Sequence, residues 1–290
     1  MPYFERPGAR LFYDAVGEGS ETVITLHGVT MCGAYWSRTG VSAALAESGF
    51  RVVDMDLRGH GRSVVIPGED PGYHVDRIAD DIGALADHLD LGRFHLLTHA
   101  TGGMAGLRFA MNHHERLISL VSTDTGSATA PSDVYSDPEY QGAYPAPFVP
   151  PFDVPAVADF ARLSVAEQIR QAREGDGRPF WSALDTNADP ERCWRWTEEI
   201  LAMSNPVHVV EFGRHFYTDL DPRIARLKQI QCPNLVMLGE LDEMFIKPAE
   251  LLARHIPRVE HVVVAGRGHM LAVEDPTGTA ETIASFLRTA

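Results

Sequence analysis

Lysine is nearly missing from this chain. Only Lys228 and Lys247 carry it, and Lys and Arg together number 25 against 40 Asp and Glu in 290 residues. The net charge is −15, and no basic cluster reverses it locally. Such a surface repels phosphate backbones and anionic lipid, so neither nucleic acid nor a membrane is an expected partner. Cysteine is as scarce. Cys32, Cys193 and Cys232 are odd in number and lack C-x-x-C spacing, which argues against a disulfide framework or a paired-cysteine site. Long apolar runs are absent too. No stretch approaches the roughly 20 residues of a membrane span. The opening Met1-Pro-Tyr-Phe-Glu-Arg has no apolar segment of signal-peptide kind. A cytoplasmic, reducing location is the expectation. The phosphate-cradling patterns G-x-x-x-x-G-K-[ST] and G-x-G-x-x-G do not occur, and no cofactor or metal is implied.

The rest is ordinary for a soluble globular protein: 44% hydrophobic and 22% charged residues. A chain of this length buries roughly 75% of its unfolded surface and needs no staple. One large domain, or a core with an insertion, is the expected organisation.

Short apolar runs recur along the chain: Val23 to Leu26, Arg51 to Leu57, Phe94 to Leu97, Leu117 to Ser122, Leu235 to Gly239 and His261 to Ala265. They have the length and composition of buried parallel strands. Helical patterns separate them. The clearest is Val75, Ile78, Ile82, Leu85 and Leu89, one apolar stripe at spacings of three and four. Others cover about Ser42 to Ser48, Thr101 to Asn112 and Thr277 to Leu287. Alternation of this kind predicts an α/β fold with an open, mostly parallel sheet flanked by helices on both faces. The rhythm breaks between about 127 and 226. Pro131 to Pro155 is rich in proline and aromatics, including Tyr135, Tyr140, Tyr144, Phe148 and Phe152. Helical patterns follow without strands, and Ser164 with Glu167 forms a capping box. The expected division is a core of 1–126 and 227–290 with a helical cap insertion at 127–226.

In open α/β sheets, ligands bind beyond the carboxyl ends of the strands. The residues there are His27-Gly28-Val29, Asp56-Leu57-Arg58-Gly59-His60-Gly61-Arg62-Ser63, Thr98-His99-Ala100-Thr101-Gly102-Gly103, Gly239-Glu240-Leu241-Asp242 and Gly266-Arg267-Gly268-His269. Each motif alone is weak. All five in this order resemble the α/β-hydrolase family over nearly the whole chain, and imply its fold with a cap. The resemblance further implies a triad of nucleophile, acid and histidine on this chain. His269 is then the general base and later general acid, and Asp242 orients it. Thr123-Asp124-Thr125 offers a rival acid in Asp124, although it also suits a plain turn. The oxyanion donors implied are the backbone N–H groups of Val29 and Thr101, each worth about 3 kcal/mol in the transition state. Met270, Phe245 and Trp181 are candidate pocket residues, and Trp194, Trp196, Phe212 and Phe216 are candidate cap aromatics. His60, His99 and the run His113-His114-Glu115 read as turn, packing and solvated helix-end residues.

One position departs from the family pattern. Where a nucleophile belongs, this chain has Ala100, and a methyl group cannot form an acyl-enzyme. Intact partners around one missing atom point to a serine replaced by alanine. The implied reaction is hydrolysis of a small, mainly apolar or aromatic ester or lactone, with C–C bond hydrolysis a close variant. The alternatives are a natural ligand-binding protein without hydrolysis, and cofactor-free oxygenase or lyase chemistry run by His269 and its acid.

Overall fold

The computed structural model describes residues 2–129, 163–174, 180–205, 208–219 and 221–290. Nine strands form one sheet: β1 (Tyr3–Arg6), β2 (Ala9–Val16), β3 (Thr22–Leu26), β4 (Arg51–Met55), β5 (Val64–Val65), β6 (Phe94–His99), β7 (Leu117–Thr123), β8 (Asn234–Gly239) and β9 (Val259–Val264). The order is β1-β2-β4-β3-β6-β7-β8-β9, with β5 beside β2. Strands β3, β4 and β6 to β9 run parallel. β1, β2 and β5 add antiparallel pairs at one end. The sequence reading did not single out these three. Their burial alternates or is partial, as in the pattern BeBBieee of β2, so they lack the continuous apolar signature of the central strands.

The major helices are α1 (Val41–Glu47), α2 (Val75–His88), α3 (Thr101–His113), α4 (Val165–Glu174), α5 (Pro190–Met203), α6 (Val209–Phe216), α7 (Ile246–His255) and α8 (Pro276–Leu287). Successive strand residues point to opposite faces, and two apolar clusters result. Ile24, Val53, Leu96, Leu120 and Val236 face one, with the stripe of α2 (Ile78, Ile82, Leu85) and with Leu107 and Phe109 of α3. Val23, Val52, Leu97, Val121 and Leu235 face the other, with Leu45 of α1 and Ile283 and Phe286 of α8. Every residue of β3, β6 and β8 is buried. The expectation of a buried last strand needs correcting. Among the described residues β9 pairs with β8 alone, its residues are exposed or half-buried, and Val263 is 52% exposed.

Between β7 and β8 the described chain is helical. The box at Ser164 forms in part, with Glu167 N–H donating to Ser164 Oγ at 3.2 Å. The proline- and aromatic-rich stretch Pro131 to Pro155 lies outside the described residues. Trp194 joins the cluster of the α8 face, and Phe212 and Phe216 join that of the α2 face, so these three aromatics pack the insertion onto the core.

Sequence-adjacent β3 and β4 lie on one side, and β6 leaves from the other side of β3. That reversal opens a crevice at the carboxyl ends of β3 and β6. Residues 27–29 and 100 stand at its lip.

Candidate active site

Ala100 makes the turn from β6 into α3 with φ 48° and ψ −116°. A side-chain-bearing residue in such a region costs on the order of 1–3 kcal/mol and persists only where its surroundings impose it. Here Ala100 N–H donates to Thr123 O at 3.0 Å and Gly102 N–H to His27 O at 3.1 Å. Thr125 Oγ1 donates to Ala100 O at 2.6 Å. Gly102 allows the approach, because a Cβ there would stand 2.6 Å from the His27 carbonyl oxygen. A Cβ placed on Gly28 would lie 3.2 Å from that of Ala100, so the loop after β3 abuts position 100. The next residue on each side of this contact is a sequence-designated donor, Val29 and Thr101. Among the described residues neither N–H donates to a protein acceptor. The Thr101 hydroxyl is held by Tyr217 OH at 2.6 Å, a link from the β7–β8 insertion that the sequence reading missed.

His269 follows β9, and Asp242 follows β8. The His269 Nδ1–H donates to Asp242 Oδ2 at 2.8 Å, which leaves Nε2 as an acceptor. The backbone on both sides of His269 is fixed by Glu274, whose Oε2 accepts from Gly268 N–H at 2.6 Å and Oε1 from Met270 N–H at 2.9 Å. Burial raises the Glu274 carboxyl, against those two amides. Three rings enclose the imidazole. Phe245 stacks on it at 5.3 Å and 20°, Phe180 meets it edge-on at 4.8 Å, and His99 lies 4.9 Å away. His99 in turn stacks on Tyr35 at 4.4 Å. Burial holds His99 well below its ordinary range, and the nearby His269 adds to this, so it is neutral. Of the three candidate pocket residues, only Phe245 touches His269 in this way. Met270 and Trp181 pack in the α8-face cluster, Trp181 against Trp194 at 6.4 Å. Phe180 was not foreseen, since it lies 89 positions away in sequence.

Asp124 is not a plain turn residue. It is 1% exposed, has φ 49°, and accepts from Gly239 N–H through Oδ1 at 3.0 Å. Burial first, then the charge of Asp242, push its carboxyl well above the usual carboxylate range. Asp124, Asp242 and His269 present atoms within 4.8 Å of one another. At 2.8 Å the Nδ1 to Oδ2 contact has the length of a bond through a proton, shorter than two ligands of one tetrahedral metal would stand apart.

The histidines outside this group read as scaffold. His27 Nε2 accepts from Leu57 N–H at 3.0 Å and His60 Nδ1 donates to Arg58 O at 2.9 Å. Burial lowers them to about 4 and about 3. His113 is half exposed beside Glu115. No described helix is long and apolar enough to cross a membrane.

Comparison with known proteins agrees with this architecture. The profile of the alpha/beta hydrolase fold family matches residues 21–276. A non-heme chloroperoxidase of Kitasatospora aureofaciens is 29% identical over 283 residues, 92% of this chain and 91% of that protein. A putative carbamate hydrolase of Caulobacter vibrioides is 29% identical over 291 residues, 93% of this chain and 91% of that protein. The solved structure of Est816, described as an N-acyl homoserine lactone degrading enzyme, superposes with a TM-score of 0.70. It is 25% identical and covers 98% of this chain and 100% of that one.

Proposed function

Because the chain belongs to the α/β-hydrolase fold family, we propose that its site is that of an ester- or lactone-cleaving hydrolase in which position 100 is the nucleophile's seat. The observation that carries this reading is the conjunction of the strained turn at Ala100 with the His269–Asp242 bond of 2.8 Å. A hydroxyl on Cβ of residue 100 would be the attacking group. His269 Nε2 would take its proton and return it to the leaving alkoxide, and Asp242 would hold the imidazole tautomer and balance its charge. The N–H groups of Val29 and Thr101 would bind the developing oxyanion. Phe245 and Phe180 support an apolar wall beside the reacting carbonyl, which suits a small apolar or aromatic acyl group. Met270 and Trp181, packed in the α8-face cluster, would add further apolar surface near the site. Residues 127–226, mainly helical where described, would be the cap of a core built from 1–126 and 227–290. Relatives that carry carbamate-hydrolase and lactone-degrading names accord with carbonyl hydrolysis.

With alanine at 100 the covalent path is closed, and the pocket binds without forming an acyl-enzyme. The test is Ala100→Ser assayed on aryl esters and lactones. Loss of a triad costs on the order of 10⁶-fold in subtilisin, so a gain of several orders of magnitude is expected. A silent Ala100→Ser variant beside turnover by the Ala100 protein itself would instead favour nucleophile-free chemistry at His269. Tight binding with no turnover in either form would favour a receptor.

A further inference from the structure

Two carboxyl groups stand behind His269, and each has one oxygen without a partner. Asp242 Oδ2 is used by His269 Nδ1, and Asp124 Oδ1 by the Gly239 amide. Asp242 Oδ1 and Asp124 Oδ2 are buried and receive no proton from any described protein donor. Both side chains are fully buried. His99 Nδ1 lies 3.6 Å from Asp124 Oδ2, too far for a hydrogen bond. Its proton is engaged by Thr123 Oγ1 at 3.1 Å, whose own hydroxyl donates to Thr98 O. As two carboxylates, the pair would hold two buried like charges with an oxygen of each within 4.8 Å of the other, an arrangement that proteins avoid. As one carboxylate and one carboxylic acid, the same oxygens satisfy each other.

We propose that Asp124 and Asp242 hold a single proton between them, carried on Asp124 Oδ2 and donated to Asp242 Oδ1. Asp124 is then a neutral positioning residue that aims Asp242 at His269. The pairing stands on geometry alone, and only its catalytic consequence rests on the hydrolase reading above. Several features favour Asp124 as the proton's owner. Its carboxyl is the one pushed up by burial and by its neighbour's charge. Asp242 already accepts the His269 Nδ1–H through its other oxygen. The other titratable groups facing Asp124 are His99 from β6, Tyr35 from the loop after β3, and His269 and Glu274 beyond β9. His99 is held neutral by burial, the Tyr35 hydroxyl is raised well above its ordinary value, and the Glu274 carboxylate takes two backbone amides. None of them supplies the missing proton.

The arrangement also explains why a second aspartate can sit so near without spoiling the first. A full charge on Asp124 would add to the anionic field at the imidazole and favour its protonated form. A neutral Asp124 keeps one charge on one histidine.

The experiment is an NMR titration of His269 in the Ala100 protein, which needs no turnover and so does not depend on the hydrolase reading. Asparagine at 124 keeps the amide acceptor and a donor toward Asp242, and it tolerates positive φ. Asp124→Asn should therefore leave the His269 midpoint within about half a pH unit. Were Asp124 ionised, removing a charge this close would lower that midpoint by roughly two pH units, and the proposal would be overturned. A second measurement needs no variant. Carboxyl ¹³C shifts of labelled aspartate at pH 7 should include one protonated-aspartate signal that disappears in Asp124→Asn, distinct from any signal of Asp54, which burial raises to about 7. A spectrum in which no protonated-aspartate signal is lost on Asp124→Asn would also overturn it.

Discussion

Two pairs of buried aspartates sit at strand ends in this molecule, and they are built on opposite plans. At the end of β4, Asp54 takes Thr25 Oγ1 at 2.7 Å and Ser42 Oγ at 2.9 and 2.8 Å, engaging both oxygens. Asp56 takes the amides of Gly33 and Arg62, each at 2.7 Å, one on each oxygen. At the ends of β7 and β8, Asp124 and Asp242 each have one oxygen hydrogen-bonded and one buried oxygen that no described protein donor reaches. The first pair is closed by fixed neutral donors. It clips the loop after β3 and the glycine-rich turn 59–62 to the sheet. The second pair is left open toward a titratable ring. Burial is alike in the two places, so it does not separate the two plans. The separating property is whether the partners can change protonation state.

The sharpest way to break this contrast is kinetic. In an Ala100→Ser background, Asp242→Asn should lower kcat by about 10⁴-fold, because the amide favours the wrong imidazole tautomer. Asp54→Asn in the same background should leave kcat within about tenfold. Comparable kcat losses in two well-folded variants would erase the distinction.

The next largest effect is thermodynamic and belongs to the closed pair. Burial raises Asp54 from 3.8 to about 7, against its hydroxyl donors. The folded chain therefore keeps a proton that the unfolded chain has released between these values. Its contribution is whole below about pH 4 and is lost as pH rises through 7. At 1.36 kcal/mol per unit, the stability of Asp54→Asn relative to the parent should improve by about 4 kcal/mol from pH 4 to pH 7. Denaturant melts of both proteins across that range measure it, and a difference flat in pH would show that Asp54 is ionised throughout.

The smallest effect belongs to a carboxylate of neither kind. Asp189 is exposed and caps α5, accepting from Arg192 N–H at 3.1 Å. Asp189→Ala should cost about 1 kcal/mol, independent of turnover. A loss several times larger would mean that the helix of the insertion depends on this end more than a cap explains.

Much of this was legible in the sequence because it is local. The apolar runs mark β3, β4 and β6 to β8, since a central parallel strand is buried on both faces and needs no alternation. The glycines after β3 and β6 mark the crevice, and the order of Ala100, Asp242 and His269 follows from motifs at strand ends. What stayed hidden depends on neighbours far along the chain. Thr123-Asp124-Thr125 reads as a turn until β8 is laid beside β7 and Gly239 reaches the Asp124 carboxyl. Phe180 and Tyr217 arrive from the insertion, where composition shows aromatics without showing which ring meets His269 or Thr101. β9 looked central because Val262, Val263 and Val264 are β-branched, but edge position is a property of the sheet, not of the strand.

The turn at residue 100 has a consequence of another sort. Its shape comes from Thr123, Thr125 and His27, which grip the backbone from outside, and none of these bonds involves the side chain of residue 100. The position behaves as a socket. Whatever residue is coded there is presented at the same spot and angle, as a bit is by its holder. Shape is thereby independent of the side chain coded there, so one codon can change what the turn presents while the fold around it stays as it was.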